Sequence, residues 1–145
     1  MTSRTGKGKH DMNRLLPLFV IAMLILSACA QQTGPAKVTV KMSEWSVDLS
    51  QTSVPAGRVT FALKNDGKLT HELAILRTDL AHDKIPLRAE DPTKVQELGI
   101  TGEIEDVDAG QMKEAVFELT PGNYVLVCNE ASHYQAGMHV AFVVR

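Results

Sequence analysis

Beyond residue 37 the chain alternates apolar and polar side chains with a period of two, interrupted at short intervals by Gly, Pro, Asn and Asp. Val38, Val40 and Met42 alternate with Thr39 and Lys41, the rhythm of a strand with one buried face. Trp45, Val47 and Leu49 resume the alternation after a change of phase at Ser43-Glu44, which predicts a bulge or bend there. Val54-Pro55-Ala56-Gly57 reads as a turn, and Val59, Phe61 and Leu63 then alternate with Arg58, Thr60, Ala62 and Lys64. Asn65-Asp66-Gly67-Lys68 is a second turn, ahead of an apolar strand from Leu69 to Leu76. Strands return around Ile104, at 115–119, at 124–128 and at 140–144, with turns at Asp108-Ala109-Gly110 and Thr120-Pro121-Gly122-Asn123. Seven to eight short strands separated by turn signals predict an all-β fold, a β-sandwich. About 110 residues suffice for one such core.

Residues 77–106 break the β rhythm. Within this excursion Asp91-Pro92 supplies an N-cap residue and a Pro at the first helical position, and Gly99 supplies a stop. That grammar predicts one short helix over 91–99.

The N-terminus belongs to a different class of segment. Arg4, Lys7, Lys9 and Arg14 precede an apolar run from Leu15 to Leu26. A run of about a dozen residues is short for a membrane span and fits a signal sequence. It closes on Leu26-Ser27-Ala28-Cys29, which resembles the lipobox of bacterial lipoproteins, in which the cysteine is lipidated and becomes the mature N-terminus. The expected organisation is therefore a leader at 1–28, a tether at 29–36 and one folded domain at 37–145. It implies an exported protein, held by lipid on Cys29 to a bacterial cell membrane, with its domain in the periplasm or at the cell exterior. Stable attachment of this kind needs more than one acyl chain. Removing 1–28 takes away four basic residues and one acidic one, leaving 11 Lys+Arg against 16 Asp+Glu, a charge of −5. An acidic domain without a basic stripe argues against nucleic acid as a partner.

If Cys29 carries lipid, Cys128 is the one remaining thiol in an oxidising compartment, where a lone free thiol calls for burial or a metal. Cys128, His133 and Met138 are spaced five residues apart between two apolar β runs, so a thiolate, an imidazole and a thioether share one loop. A set of two His and one Cys with a weak axial Met is a blue-copper arrangement. The loop holds one of the two histidines, and His71, where turn passes into strand, is the candidate for the other.

The motifs Asn65 to His71, Gly122-Asn-Tyr124-Val-Leu-Val-Cys128, His133 and Gly137-Met138 together resemble the cupredoxins, which include plastocyanin, azurin, auracyanin and sulfocyanin. The resemblance spans residues 37–145. It implies a Greek-key sandwich and one copper ion held by His71, Cys128 and His133 with Met138 as a long axial ligand. It also implies a monomer that carries single electrons and is not an enzyme, with respiratory or photosynthetic redox proteins, a cytochrome or an oxidase, as partners. Glu72, where plastocyanin-like proteins usually have Asn, and Ala131-Ser132, where relatives often have Pro-Gly, depart from the pattern, as does the length of the excursion.

Other residues are expected to be structural. Trp45 at strand spacing reads as core, His82 beside Asp83 as a solvated surface residue, and His139 as turned away from the metal by strand alternation. Glu103, Glu105, Asp106 and Asp108 read as a solvated acidic edge. The competing function is an extracytoplasmic copper chaperone, although the three Met and four His of the mature chain are scattered and form no runs. Multicopper enzymes use His-x-His pairs, which are missing, and a dinuclear copper loop needs a second Cys where Ser132 stands.

Overall fold

A computed structural model describes residue 2 and residues 34–145, so the leader, Cys29 and most of the tether lie outside the described residues. Nine strands follow in chain order: β1 (Ala36–Ser43), β2 (Ser46–Leu49), β3 (Ser53–Val54), β4 (Gly57–Asn65), β5 (His71–Arg77), β6 (Ile100–Val107), β7 (Met112–Leu119), β8 (Gly122–Val127) and β9 (His139–Val144). They form two mixed sheets, in the orders β2-β1-β4-β7 and β3-β9-β8-β5-β6. In the first sheet β1 runs parallel to β4, with Val38 opposite Phe61 and Val40 opposite Leu63. In the second, β8 lies antiparallel between β5 and β9.

The alternation along the strands decides which side chains meet between the sheets. Val38, Val40 and Met42 of β1 and Val59, Phe61 and Leu63 of β4 are fully buried, and they pack against Leu73, Ile75, Leu126 and Phe142 from the other sheet. Phe61 lies at its centre, edge-on to Phe142 with ring centroids 5.5 Å apart. Burying a side chain of this size contributes about 1.5–3 kcal/mol, and the pair's edge-to-face geometry adds to it.

Three local expectations are corrected. The change of phase at Ser43-Glu44 is a full reversal, since Ser43 pairs with Ser46 in an antiparallel β1–β2 hairpin. Trp45 therefore sits in the turn, 48 % exposed, and is not a core residue.

The predicted helix at 91–99 is also not formed, and no helix occurs among the described residues. Asp91 does act as a local cap: its carboxylate accepts from Thr93 N–H at 3.1 Å and its carbonyl from Lys94 N–H. The turn stops there because Val95 is drawn elsewhere. Val95 is fully buried and forms a bridge with Leu87. So short a helix has little stability of its own, so tertiary contacts override the capping signal.

Those contacts make a second small core. Ile85 and Val95 of the excursion cover Ala74, Leu76, Val125 and Val127, together with Tyr134. This explains why β5 reads as a continuous apolar run: Leu73 and Ile75 face the sandwich, while Ala74 and Leu76 face the excursion.

Candidate metal centre

Two neighbouring elements deliver the donor atoms. His71 is the first residue of β5, and Cys128 follows the last residue of β8 directly. The loop after Cys128 turns back through His133 and re-enters β9 at His139. It is closed by Cys128 N–H donating to Met138 C=O at 3.0 Å and Met138 N–H donating to His133 C=O at 3.1 Å. Ser132 within it has φ of 67°, the left-handed region that usually selects Gly.

His71 Nδ1, Cys128 Sγ and His133 Nδ1 converge. The two nitrogens are 3.3 Å apart, and the sulfur lies 3.3 Å from His133 and 3.7 Å from His71. A trigonal ion with bonds of about 2.0 Å to nitrogen and about 2.3 Å to sulfur separates its donors by about 3.5–3.7 Å. The three atoms therefore already bracket such an ion. Met138 is fully buried in the same core cluster as Cys128. The set of thiolate, two imidazoles and thioether suits one copper ion. Of the four sequence-predicted ligands, the fold brings His71, Cys128 and His133 together, and Met138 is fully buried at the end of the loop that carries Cys128 and His133.

The electrostatics prepare the donors for a cation. Burial lowers the proton affinity of His71, as does the neighbouring His133, so its ring is neutral near pH 7. Burial lowers His133 as well. Burial pushes the Cys128 thiol up to about 11, although the backbone N–H groups of Glu72 and Glu130 pull the other way. Glu72 N–H donates to the sulfur at 3.4 Å. A buried thiol of this kind ionises when a metal supplies the compensating charge.

The sequence signals gave no positioning role to three residues that support the site. Asn65 is fully buried; its amide donates to Leu69 C=O at 2.7 Å and Val107 C=O at 2.8 Å and accepts from Gly67 N–H at 2.8 Å. It thereby fastens the turn that delivers His71. Glu44, from the β1–β2 turn, accepts from Lys68 and Leu69 N–H at 2.8 Å each. These bonds hold its carboxyl at about 2, well below the usual range. The same oxygen lies 3.4 Å from His71 Nε2, a buried nitrogen with no hydrogen-bond partner. A carboxylate so placed can orient a metal-bound imidazole and raise its basicity. A side chain at Gly67 would meet the Glu44 carboxylate and displace it from the turn.

Asn129, next to Cys128 and fully buried, joins the loop to the excursion. Its side chain accepts from Val95 N–H at 2.7 Å and donates to Glu97 Oε1 at 2.6 Å. Ser132 N–H donates to Thr93 C=O, and Gln135 donates to Pro92 C=O. The excursion is thus a buttress for the ligand loop. His133 is 7 % exposed, and the exposed Trp45 meets its ring edge-on, with centroids 5.2 Å apart and an interplanar angle of 74°. The strand spacing that pointed to a core role for Trp45 carried no sign of this contact, because the hairpin creates it.

Comparisons with known proteins agree with this geometry. A family model described as a cupredoxin-like domain matches residues 16–141. No curated protein sequence matches the chain. Among solved structures, reduced auracyanin from Roseiflexus castenholzii is similar at 19 % identity and a TM-score of 0.58, over 77 % of this chain and 99 % of that one. Auracyanin A, a "blue" copper protein from Chloroflexus aurantiacus, is similar at 19 % identity and a TM-score of 0.56, over 77 % of this chain and all of that one. Rusticyanin from Thiobacillus ferrooxidans is similar at 16 % identity and a TM-score of 0.58, over 78 % and 79 % of the two chains. At these identities the structural likeness speaks to the fold.

Proposed function

The chain belongs to the family of cupredoxin-like domains, and from that premise we propose that it is a mononuclear blue-copper protein carrying single electrons between redox partners. The observation that carries this reading is the buried triangle of His71, Cys128 and His133 donors. When bound, copper would supply a one-electron couple, with the thiolate favouring Cu(I) and the imidazoles serving both oxidation states.

The chain's own residues do the rest. β5 and the β8–β9 loop hold the donors in place, so they would need to move little when a bound copper changed charge. Glu44 and the Glu72 N–H orient His71 and stabilise the sulfur. Water is kept from Cys128, which is fully buried, while His133 reaches the surface through its contact with Trp45. Electrons would enter and leave along that edge, as a carrier requires.

The wider setting belongs to the same proposal. The chain is a monomer, exported and tethered by lipid on Cys29 to a bacterial membrane. It exchanges electrons with respiratory or photosynthetic proteins such as a cytochrome or an oxidase. The lipobox-like Leu26-Ser27-Ala28-Cys29 supports the tether.

The test is to add Cu(II) to the purified protein and record visible and electron paramagnetic resonance spectra. An intense thiolate-to-copper band with narrow hyperfine splitting, lost in Cys128→Ser, is the expected result. Colourless binding, or binding indifferent to that substitution, overturns the reading. For the tether, mass analysis of the membrane fraction should find acyl chains on Cys29; an unmodified N-terminus there overturns it.

A further inference from the structure

A second pair of imidazoles converges where the ligand loop enters β9. His82 Nδ1 and His139 Nδ1 lie 2.7 Å apart, with ring centroids separated by 4.8 Å. The residues come from different segments, His82 from the excursion and His139 from the start of β9. Sequence spacing alone does not connect them.

One residue positions both. Tyr134, 6 % exposed, donates its hydroxyl to His82 C=O at 3.0 Å and accepts from Ile85 N–H at 2.9 Å. Its ring also packs against the His139 imidazole, with centroids 4.7 Å apart. The pair is therefore held from beneath by a buried aromatic anchored in the second core, while His82 stays exposed to solvent.

Without a metal, one Nδ1–H donates to the other Nδ1. A cation replaces that shared proton once the donating ring carries its proton on Nε2. Two cis bonds of about 2.0 Å to imidazole nitrogen place the donors about 2.8 Å apart, whereas tetrahedral bonds place them about 3.3 Å apart. The observed 2.7 Å lies nearer the cis value. A right angle suits tetragonal Cu(II) and Ni(II) as well as octahedral ions, and among divalent ions bound by imidazole Cu(II) is the tightest.

We propose that His82 and His139 form a second copper site, a surface Cu(II) site of tetragonal geometry separate from the His71–Cys128–His133 centre. Among the described residues no third His, Cys, Asp or Glu completes a three-donor cluster here, so water fills the remaining positions. The Asp83 carboxylate, shared with Lys84 at 3.0 Å, adds negative charge beside the pair. Occupation of the site ties the excursion to the ligand loop at a point next to Met138.

The test uses the full chain, first given one equivalent of copper and then titrated with further Cu(II) in an electron paramagnetic resonance experiment. The expected result is a second equivalent whose signal has wide hyperfine splitting and adds no intense visible band. His82→Gln and His82→Ala should each weaken that second binding at least tenfold and leave the first equivalent unchanged. The titration is repeated in Cys128→Ser, where the wide-splitting site should persist even if the thiolate centre is lost, so the two readings fail separately. Saturation at one equivalent, or identical uptake by the parent and both His82 variants, overturns the proposal.

Discussion

Replacing Asn65 with Ala tests whether one buried amide sets the turn that delivers His71. The substitution removes three hydrogen bonds, to Leu69 C=O, Val107 C=O and Gly67 N–H. Each is worth about 0.5–1.5 kcal/mol net, and a polar group left buried without a partner costs about 1–3 kcal/mol. Val107 is itself fully buried, so at least one carbonyl is stranded away from water. The expected loss is about 3 kcal/mol. With an unfolding entropy of about 2 cal/mol/K per residue over roughly 110 residues, that lowers Tm by about 13 °C.

Urea and thermal unfolding of the metal-free protein, followed by circular dichroism, measure the loss. Asn65→Asp is the informative companion. It keeps the acceptor for Gly67 N–H but loses both donors and faces two carbonyls with a carboxylate, so it should be at least as destabilised as Asn65→Ala. Unfolding of Asn65→Ala within about 1 kcal/mol of the parent, a Tm shift of about 4 °C or less, would refute the reasoning.

Three further outcomes follow from the site. Glu44→Gln keeps an oxygen for the Lys68 and Leu69 N–H groups but removes the negative charge facing His71 Nε2. With Cu(II) losing more than Cu(I), a tenfold difference raises the reduction potential by about 59 mV for one electron, read by redox titration; no rise, or a fall, counts against the orienting role. Burial and the nearby Glu130 push the Glu72 carboxyl up to about 7, while in the unfolded chain it titrates near the ordinary 4.5. Between those values Glu72 holds more proton in the fold than in the unfolded chain. Its own contribution to the stability of the metal-free protein therefore falls as pH rises from about 4.5 to 7, against the opposite contribution of the histidines whose proton affinity burial lowers. Glu72→Gln should remove the Glu72 contribution, making the slope of stability against pH more positive in urea unfolding at several pH values, and an unchanged slope refutes the assignment. Trp45→Ala removes the exposed ring against His133. Loss of such an aromatic anchor costs about 1 kcal/mol, or roughly fivefold in the electron-exchange rate with a protein partner; stopped-flow rates equal to the parent's, with an unchanged copper spectrum, sink that role.

Much of the sandwich is legible in local alternation because a strand's two faces are set by residue parity alone. Val38, Val40 and Met42, or Val59, Phe61 and Leu63, needed no tertiary knowledge to be assigned to the core. The C-terminal ligands were legible for a related reason: Cys128, His133 and Met138 lie on one short loop, so their spacing already limits how far apart they can be. His71 came from the requirement that such a site has a second imidazole.

What local pattern could not carry was decided by packing between distant segments. The capping signal at Asp91 is real, yet the burial of Val95 between β5, β8 and Tyr134 outweighs the small stability of one helical turn. Trp45 has core spacing, but the hairpin reversal at Glu44 turns it out against His133. Glu44, Asn65 and Asn129 act on chain segments 24, 42 and 34 residues away, through Lys68, Val107 and Val95 respectively. No periodicity registers contacts at that range, because a polar side chain's partner is fixed by where the backbone leaves an unpaired donor or acceptor. By itself the sequence determined the β class, the donor chemistry and most of the core faces. Only the tertiary structure decided which polar residues hold the donors in place, because those bonds exist only after the two sheets and the excursion have closed around the loop.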